Sequence, residues 1–218
     1  MKILVVDVGG TNVKIKLSSQ EEVRKFASGP ELTALEMIVG VRDLAKDWDY
    51  ESVTVGYPGP VVHGAILKEP VNLGRGWMGV DFAAEFGKPT RLMNDAAMQA
   101  LGSYEGGRML FLGLGTGLGS AMILDKVIAP MELAHLPYKK GRTFEQYVGI
   151  AGLDRLGRKK WQETVFDVVA RLKAALVADY VVLGGGNVKK LDELPADCRH
   201  GDNRNAFLGG VRLWEDYP

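Results

Sequence analysis

The sequence predicts an α/β protein of two similar lobes facing a cleft, and three observations carry that expectation. "KILVVDVGGTNVKIKL" reads as strand, glycine turn, strand. "RMLFLGLGTGLGSAMILD" repeats the same plan about a hundred residues later, with little identity to the first segment. Each unit is then followed by further strands and helices, the alternation expected of mixed α/β layers.

The first unit settles its own turn type. The apolar run to Val8 is a buried strand. After the turn, Val13, Ile15 and Leu17 alternate with Lys14, Lys16 and Ser18, the period of two of a half-exposed strand. A dinucleotide-binding fingerprint needs a helix after the turn and G-x-G-x-x-G spacing, and neither is present.

Further along, "EEVRKFAS" reads as a third strand and "ELTALEMIVGVRDLAKDW" as a helix with glutamate in its first turn. "SVTVGYPGPV" is a strand ending in a proline-glycine turn. "VDFAAEFG" is a helix closed by Gly87, "KPTRLMND" a strand ending at Asn94 and Asp95, and "AAMQALGSYEGG" a helix ended by its glycines. Residues 143–178 read as mainly helical, "DYVVLGGG" as a strand, with a helix beginning near Asn187, and "NAFLGGVRLW" as a terminal helix. A boundary is expected near residues 95–105, giving lobes 1–97 and 98–218.

The 218 residues suffice for a substantial core, and 46% hydrophobic with 25% charged residues is ordinary for a soluble globular chain. Zero formal net charge argues against a broad nucleic-acid surface. One cysteine, Cys198, excludes an internal disulfide framework and suits a reducing cytoplasm. No leader and no apolar stretch of about 20 residues is apparent, so neither a secretory signal nor a membrane helix is expected.

Each candidate site has a plain structural alternative. Gly9, Gly10 and Thr11 can bring backbone N–H groups to a phosphate, with Asp7 holding a hydrated magnesium ion, or can form an ordinary hairpin. In "GLGTGLGS" four glycines in seven positions weaken strand order, each by roughly 0.5–1 kcal/mol, which favours close ligand approach around Gly115, Thr116 and Gly117. Asp95 can take a proton from a substrate hydroxyl, or Asn94 and Asp95 can cap a helix. Glu132, His135 and Glu145 suit sugar hydroxyls, a metal, or a solvated helix start. Gly184, Gly185, Gly186 and Asn187 can border a base or phosphate, or make a tight loop. "GRKK", residues 157–160, reads as a solvated face. Trp161, Phe166 and Trp214 read as core or lobe contacts.

In order, "DVGGTNVKI", "GYPGPV", "MNDAAMQALG", "GLGTGLGSAMI", "ELAH", "FEQYV" and "LGGGN" resemble the ROK group of sugar kinases in the actin and hexokinase superfamily, with the polyphosphate-type glucokinases nearest. The resemblance spans nearly the whole chain. It implies two ribonuclease-H-like lobes, a homodimer, and phosphoryl transfer from ATP or polyphosphate with Mg2+ to a hexose, glucose at its 6-hydroxyl first. Asp7 to Thr11 and Gly115 to Gly117 would meet the donor phosphates, and Gly184 to Asn187 would border a nucleotide. Asn94, Glu132, His135 and Glu145 would bind sugar, and Asp95 would be the general base. The chain departs from the family by lacking the zinc-binding cysteines before Glu145, so no zinc is expected, and its segment 136–144 is short. The DNA-binding domain of the family's repressors is not expected either. The competing functions are a non-catalytic sugar-binding relative and a kinase of another small metabolite such as pantothenate.

Overall fold

The computed structural model describes residues 1–215. Contacts divide the chain into two compact units: Met1–Met98 together with the helix from Ala206 onward, and Gln99–Asn205.

The first unit begins with β1 (Ile3–Val8), whose six residues are all buried, and β2 (Asn12–Leu17), in which Val13, Ile15 and Leu17 point inward. The alternation seen in the sequence is therefore the core face of this hairpin. After β3 (Val23–Ala27) comes α1 (Ala34–Leu44), started by a capping box between Thr33 and Glu36. There follow β4 (Ser52–Tyr57), the small hairpin β5 (Val61–Val62) and β6 (Ala65–Ile66), and α2 (Phe82–Phe86), which Gly87 ends in the left-handed region at φ 63°. Next are β7 (Thr90–Asn94) and α3 (Asp95–Ser103). The sheet runs β3-β2-β1-β4-β7, with β1, β4 and β7 parallel.

The second unit repeats this. It contains β8 (Arg108–Leu114), β9 (Leu118–Leu124) and β10 (Val127–Met131), then a 3₁₀ turn at Leu133–His135. The hairpin of β11 (Pro137–Lys139) and β12 (Arg142–Thr143) leads into α4 (Glu145–Val148), α5 (Ile150–Leu156) and α6 (Arg158–Leu176). The unit closes with β13 (Tyr180–Gly184) and β14 (Cys198–His200). Its sheet runs β10-β9-β8-β13-β14, the same order and the same strand senses as the first. The duplicated strand-turn-strand plan is thus a duplicated sheet. Trp161, Val165, Val168, Val169 and Leu172 form the buried stripe of α6 and enter this unit's core.

Two features differ from the sequence reading. No α-helix starts at Asn187; a 3₁₀ turn at Val188–Lys190 stands there instead. The chain leaves the turn at Leu191, which is extended, and Pro195 soon follows, so no longer helix forms. The terminal helix α7 (Asn205–Arg212), which a second lobe of 98–218 would include, counts with the first unit from Ala206 onward. Gly210 lies against Val5, its carbonyl accepts from Thr54 Oγ1 at 2.7 Å, and Trp214 Nε1 donates to Thr54 Oγ1 at 2.8 Å. Arg91 stacks over the Trp214 ring at 4.4 Å. No described helix is long and apolar enough to cross a membrane.

Candidate active site

In open α/β sheets, ligands gather at the carboxyl ends of parallel strands. In the first unit, the register aligns three such ends, with Asp7 beside Gly56 and Tyr57 beside Asn94. The turn after β1 is held by Gly9 N–H donating to Asn12 O at 3.0 Å, while Ser28 Oγ donates to Gly9 O at 2.6 Å. Asp7 is buried, and burial pushes its carboxyl up from the ordinary range. The Lys14 ammonium, 3.6 Å away on the paired residue of β2, acts in the opposite direction.

At the end of β7, the two cap candidates part roles. Asn94 Oδ1 accepts from Ala97 N–H at 3.0 Å, the N-cap bond of α3, and Asn94 Nδ2 donates to Gly59 O at 3.0 Å. Asp95 is half-buried, and its Oδ1 accepts from Ala96 N–H at 2.8 Å. Gly56 is pressed by the Met98 side chain, one helical turn beyond Asp95, so α3 starts over the same strand ends. Asp7, the glycine turn, Asn94 and Asp95 therefore share one edge of one sheet.

The second unit gathers the other candidates. Its loop Gly115–Gly117 follows β8, and Gly184 at the end of the parallel β13 pairs with Gly113. Asn187 Nδ2 donates to Gly115 O at 2.8 Å and Asn187 N–H to Leu114 O at 2.9 Å, tying the two loops together. Gly185 takes φ 85° with its α-carbon against Leu114, where a side chain would strike backbone. Packing thus accounts for part of the triple glycine. At Gly117 a β-carbon would run into the Glu145 carboxylate, with Glu145 Cδ only 3.0 Å away. Ile150 N–H donates to Thr116 O at 3.1 Å, fixing the loop to the α4–α5 junction.

Glu132 and His135 are exposed and 3.7 Å apart. Their turn is anchored by Leu133 N–H donating to Ser120 Oγ at 3.2 Å, and Phe144 N–H donating to Leu136 O at 3.1 Å joins it to the start of α4. Among the described residues no group of three His, Cys, Asp or Glu side chains could hold a metal ion.

Sequence reasoning missed four residues here. Lys14 follows from the register once the hairpin is assumed, because the residues flanking its turn must pair. Asn72 lies beside Gly10, its Cβ at 3.4 Å from where a side chain there would begin, and no periodicity marks it. Tyr138 and Asp167 fix the short segment 136–144. The Asp167 carboxylate accepts from Tyr138 Oη, from Lys139 Nζ at 3.0 Å and from Arg171 Nε at 2.9 Å. The Tyr138 ring packs on Phe144 and Tyr147 at 5.1 and 5.0 Å. Hydrogen bonds from Arg171 first and Tyr138 next hold the Asp167 carboxyl well below the usual carboxylate range. A lowered folded value means that the cluster's stabilisation is present above the unfolded carboxyl pKa and is lost as pH falls through the folded one. Asp167→Asn is expected to lower amide protection across 138–143 by roughly two- to fivefold near neutral pH, the scale of one surface ion pair. Hydrogen exchange checks this, and the difference from the parent should vanish in strong acid.

No family model matches the chain. The polyphosphate glucokinase of Mycobacterium tuberculosis (strain ATCC 25618 / H37Rv) is 25% identical to it, over 86% of this chain and 78% of that protein. The inorganic polyphosphate/ATP-glucomannokinase of Arthrobacter sp. strain KM superposes with a TM-score of 0.82 at 22% identity, covering 97% of both chains. A ROK family glucokinase from Streptomyces griseus, solved with glucose and AMPPNP, superposes at 0.74 with 16% identity over 98% of this chain and 99% of that one. Two sheets of one order, each with a glycine turn in its leading hairpin, give this chain the α/β fold that these two solved structures share. Its relatives are more particular than that: polyphosphate glucokinases by sequence and ROK-family sugar kinases by structure, in agreement with the resemblance drawn from the motifs.

Proposed function

We propose that the protein is a sugar kinase that moves a terminal phosphoryl group from ATP or inorganic polyphosphate to a hexose hydroxyl, the 6-hydroxyl of glucose first. The observation that carries this reading is the placement of Asp95. Its half-buried carboxylate stands on the same strand-end edge as the Asp7–Thr11 turn, while Asn94 takes the helix cap.

Phosphoryl transfer asks the protein mainly for positioning and charge stabilisation. The acceptor hydroxyl oxygen forms the new bond to phosphorus as the bond to the bridging oxygen breaks, and Asp95 takes the hydroxyl proton. Backbone amides of Gly10, Thr11, Thr116 and Gly117 would meet donor phosphates, while those of Gly9 and Gly115 shape the turns by donating to Asn12 O and Gly117 O, and Lys14 adds a fixed positive charge near the first turn. Gly186 and Asn187 would border a nucleotide. Asn94, Glu132, His135 and Glu145 would hold sugar hydroxyls. Asp7 is a single carboxylate already facing Lys14, which fits Mg2+ bound through water and donor phosphate rather than in a protein cage. The ion would neutralise charge developing on the phosphates. The single cysteine agrees with a cytoplasmic enzyme.

The test is a coupled assay of a sugar panel against ATP and polyphosphate, with and without Mg2+. A phosphorylated hexose formed with at least one donor, and dependent on the divalent ion, is the expected result. Sugar binding by calorimetry without phosphorylation by either donor would overturn the reading in favour of a non-catalytic relative.

A further inference from the structure

The resemblance assigns Glu145 to the sugar and Gly117 to the donor phosphates, yet the structure sets one against the other. The Glu145 carboxylate lies over the Gly117 α-carbon so closely that no side chain fits at 117. Neither partner is loosely placed. Gly149 N–H donates to Glu145 O at 2.9 Å, and Ile150 N–H holds Thr116 O at 3.1 Å, so α4 and the loop form one piece. Trp161 Nε1 donates to Val148 O at 2.9 Å and anchors that piece to the core.

A loop that offers backbone N–H groups to an anion is poorly served by a carboxylate on its central glycine. Two like charges about 4 Å apart repel by roughly 1–4 kcal/mol across the range from water to a protein surface. Glu145 is half-buried, so water does not screen it fully.

We propose that Glu145 gates the second phosphate loop. Without sugar, its carboxylate stands over Gly117 and opposes the anionic chain of the donor. Sugar hydroxyls donate hydrogen bonds to that carboxylate, spread its charge and draw it from the glycine. Sugar occupancy thereby acts on donor affinity through this one side chain. The proposal rests on the sugar-kinase reading and adds to it a second role for Glu145, at the donor loop.

The experiment is calorimetric titration of the full chain, without sugar, with a non-hydrolysable β,γ-imido analogue of ATP and separately with tripolyphosphate. Glu145→Gln is expected to bind at least one of them about tenfold more tightly than the parent. The gap should narrow as salt rises from about 0.05 to 0.5 M. The parent should gain a similar factor when glucose is added. A merely static charge at Glu145 would also tighten donor binding in the variant but would leave the parent without a gain from glucose, so the two arms together identify a gate. Unchanged or weaker binding by Glu145→Gln, or no gain by the parent with glucose, overturns the gate. If circular dichroism shows Glu145→Gln unfolded, Glu145→Asp carries the test: it keeps the charge but withdraws it by one methylene, so it should bind the donor more tightly than the parent, and equal or weaker binding overturns the gate. Failure of the sugar-kinase reading shows separately, as a parent protein that phosphorylates no sugar, because the variant comparison is made with no sugar present.

Discussion

Asp95→Asn is expected to lower the turnover number by at least about 100-fold, the scale of a lost general base, while sugar binding measured by calorimetry stays within a few-fold. The substitution suits its position sterically. Residue 95 opens α3, where asparagine is well tolerated, and the cap bond itself belongs to Asn94. The carboxamide can still accept from Ala96 N–H as Asp95 Oδ1 does, so the helix start survives. What disappears is a group able to take the acceptor's proton. A thermal midpoint close to the parent's, combined with near-normal turnover, would remove Asp95 from the mechanism.

Trp161→Ala is expected to destabilise the second unit by about 3–5 kcal/mol, the range for deleting a large buried aromatic side chain. Trp161 is fully buried in that unit's core, one turn into α6, and its indole nitrogen is the donor to Val148 O. Truncation leaves both a cavity and an unpaired carbonyl at the end of α4. A second, earlier transition should appear in calorimetric melting, lower by at least about 10 °C. Because Glu145, proposed above as a sugar ligand, begins α4, sugar affinity should fall before the unit melts. A single transition at the parent's midpoint would contradict this account.

Much of the fold is legible in the residues, and the reasons are physical. The alternation of Val13, Ile15 and Leu17 could only be a strand with one buried face, and that excluded a helix after the first glycine turn. Gly87 marked the end of α2 because left-handed backbone favours glycine. The recurrence of strand, turn and strand foretold two sheets of one plan. The candidate site was legible as motifs but not as contacts. Asn94 and Asp95 are both good caps, and only geometry shows which one caps. Gly117 read as an anion loop, whereas its neighbour Glu145, 28 residues on, is brought there by three-dimensional packing. Nothing in "NAFLGGVRLW" indicates which body it joins, because an amphipathic helix carries no address. The helix expected near Asn187 is only a 3₁₀ turn at Val188–Lys190, because Pro195 leaves no room for a longer one.

The return of α7 to the first unit bears on how the chain is made. On the ribosome, residues 1–98 emerge with Val5 and Thr54 still lacking the helix that covers them. The second unit, contiguous from Gln99 to Asn205, has all its own segments before that helix arrives. Synthesis therefore favours completion of the later-encoded body first, with the earlier-encoded one finished by docking of a segment that emerges after both.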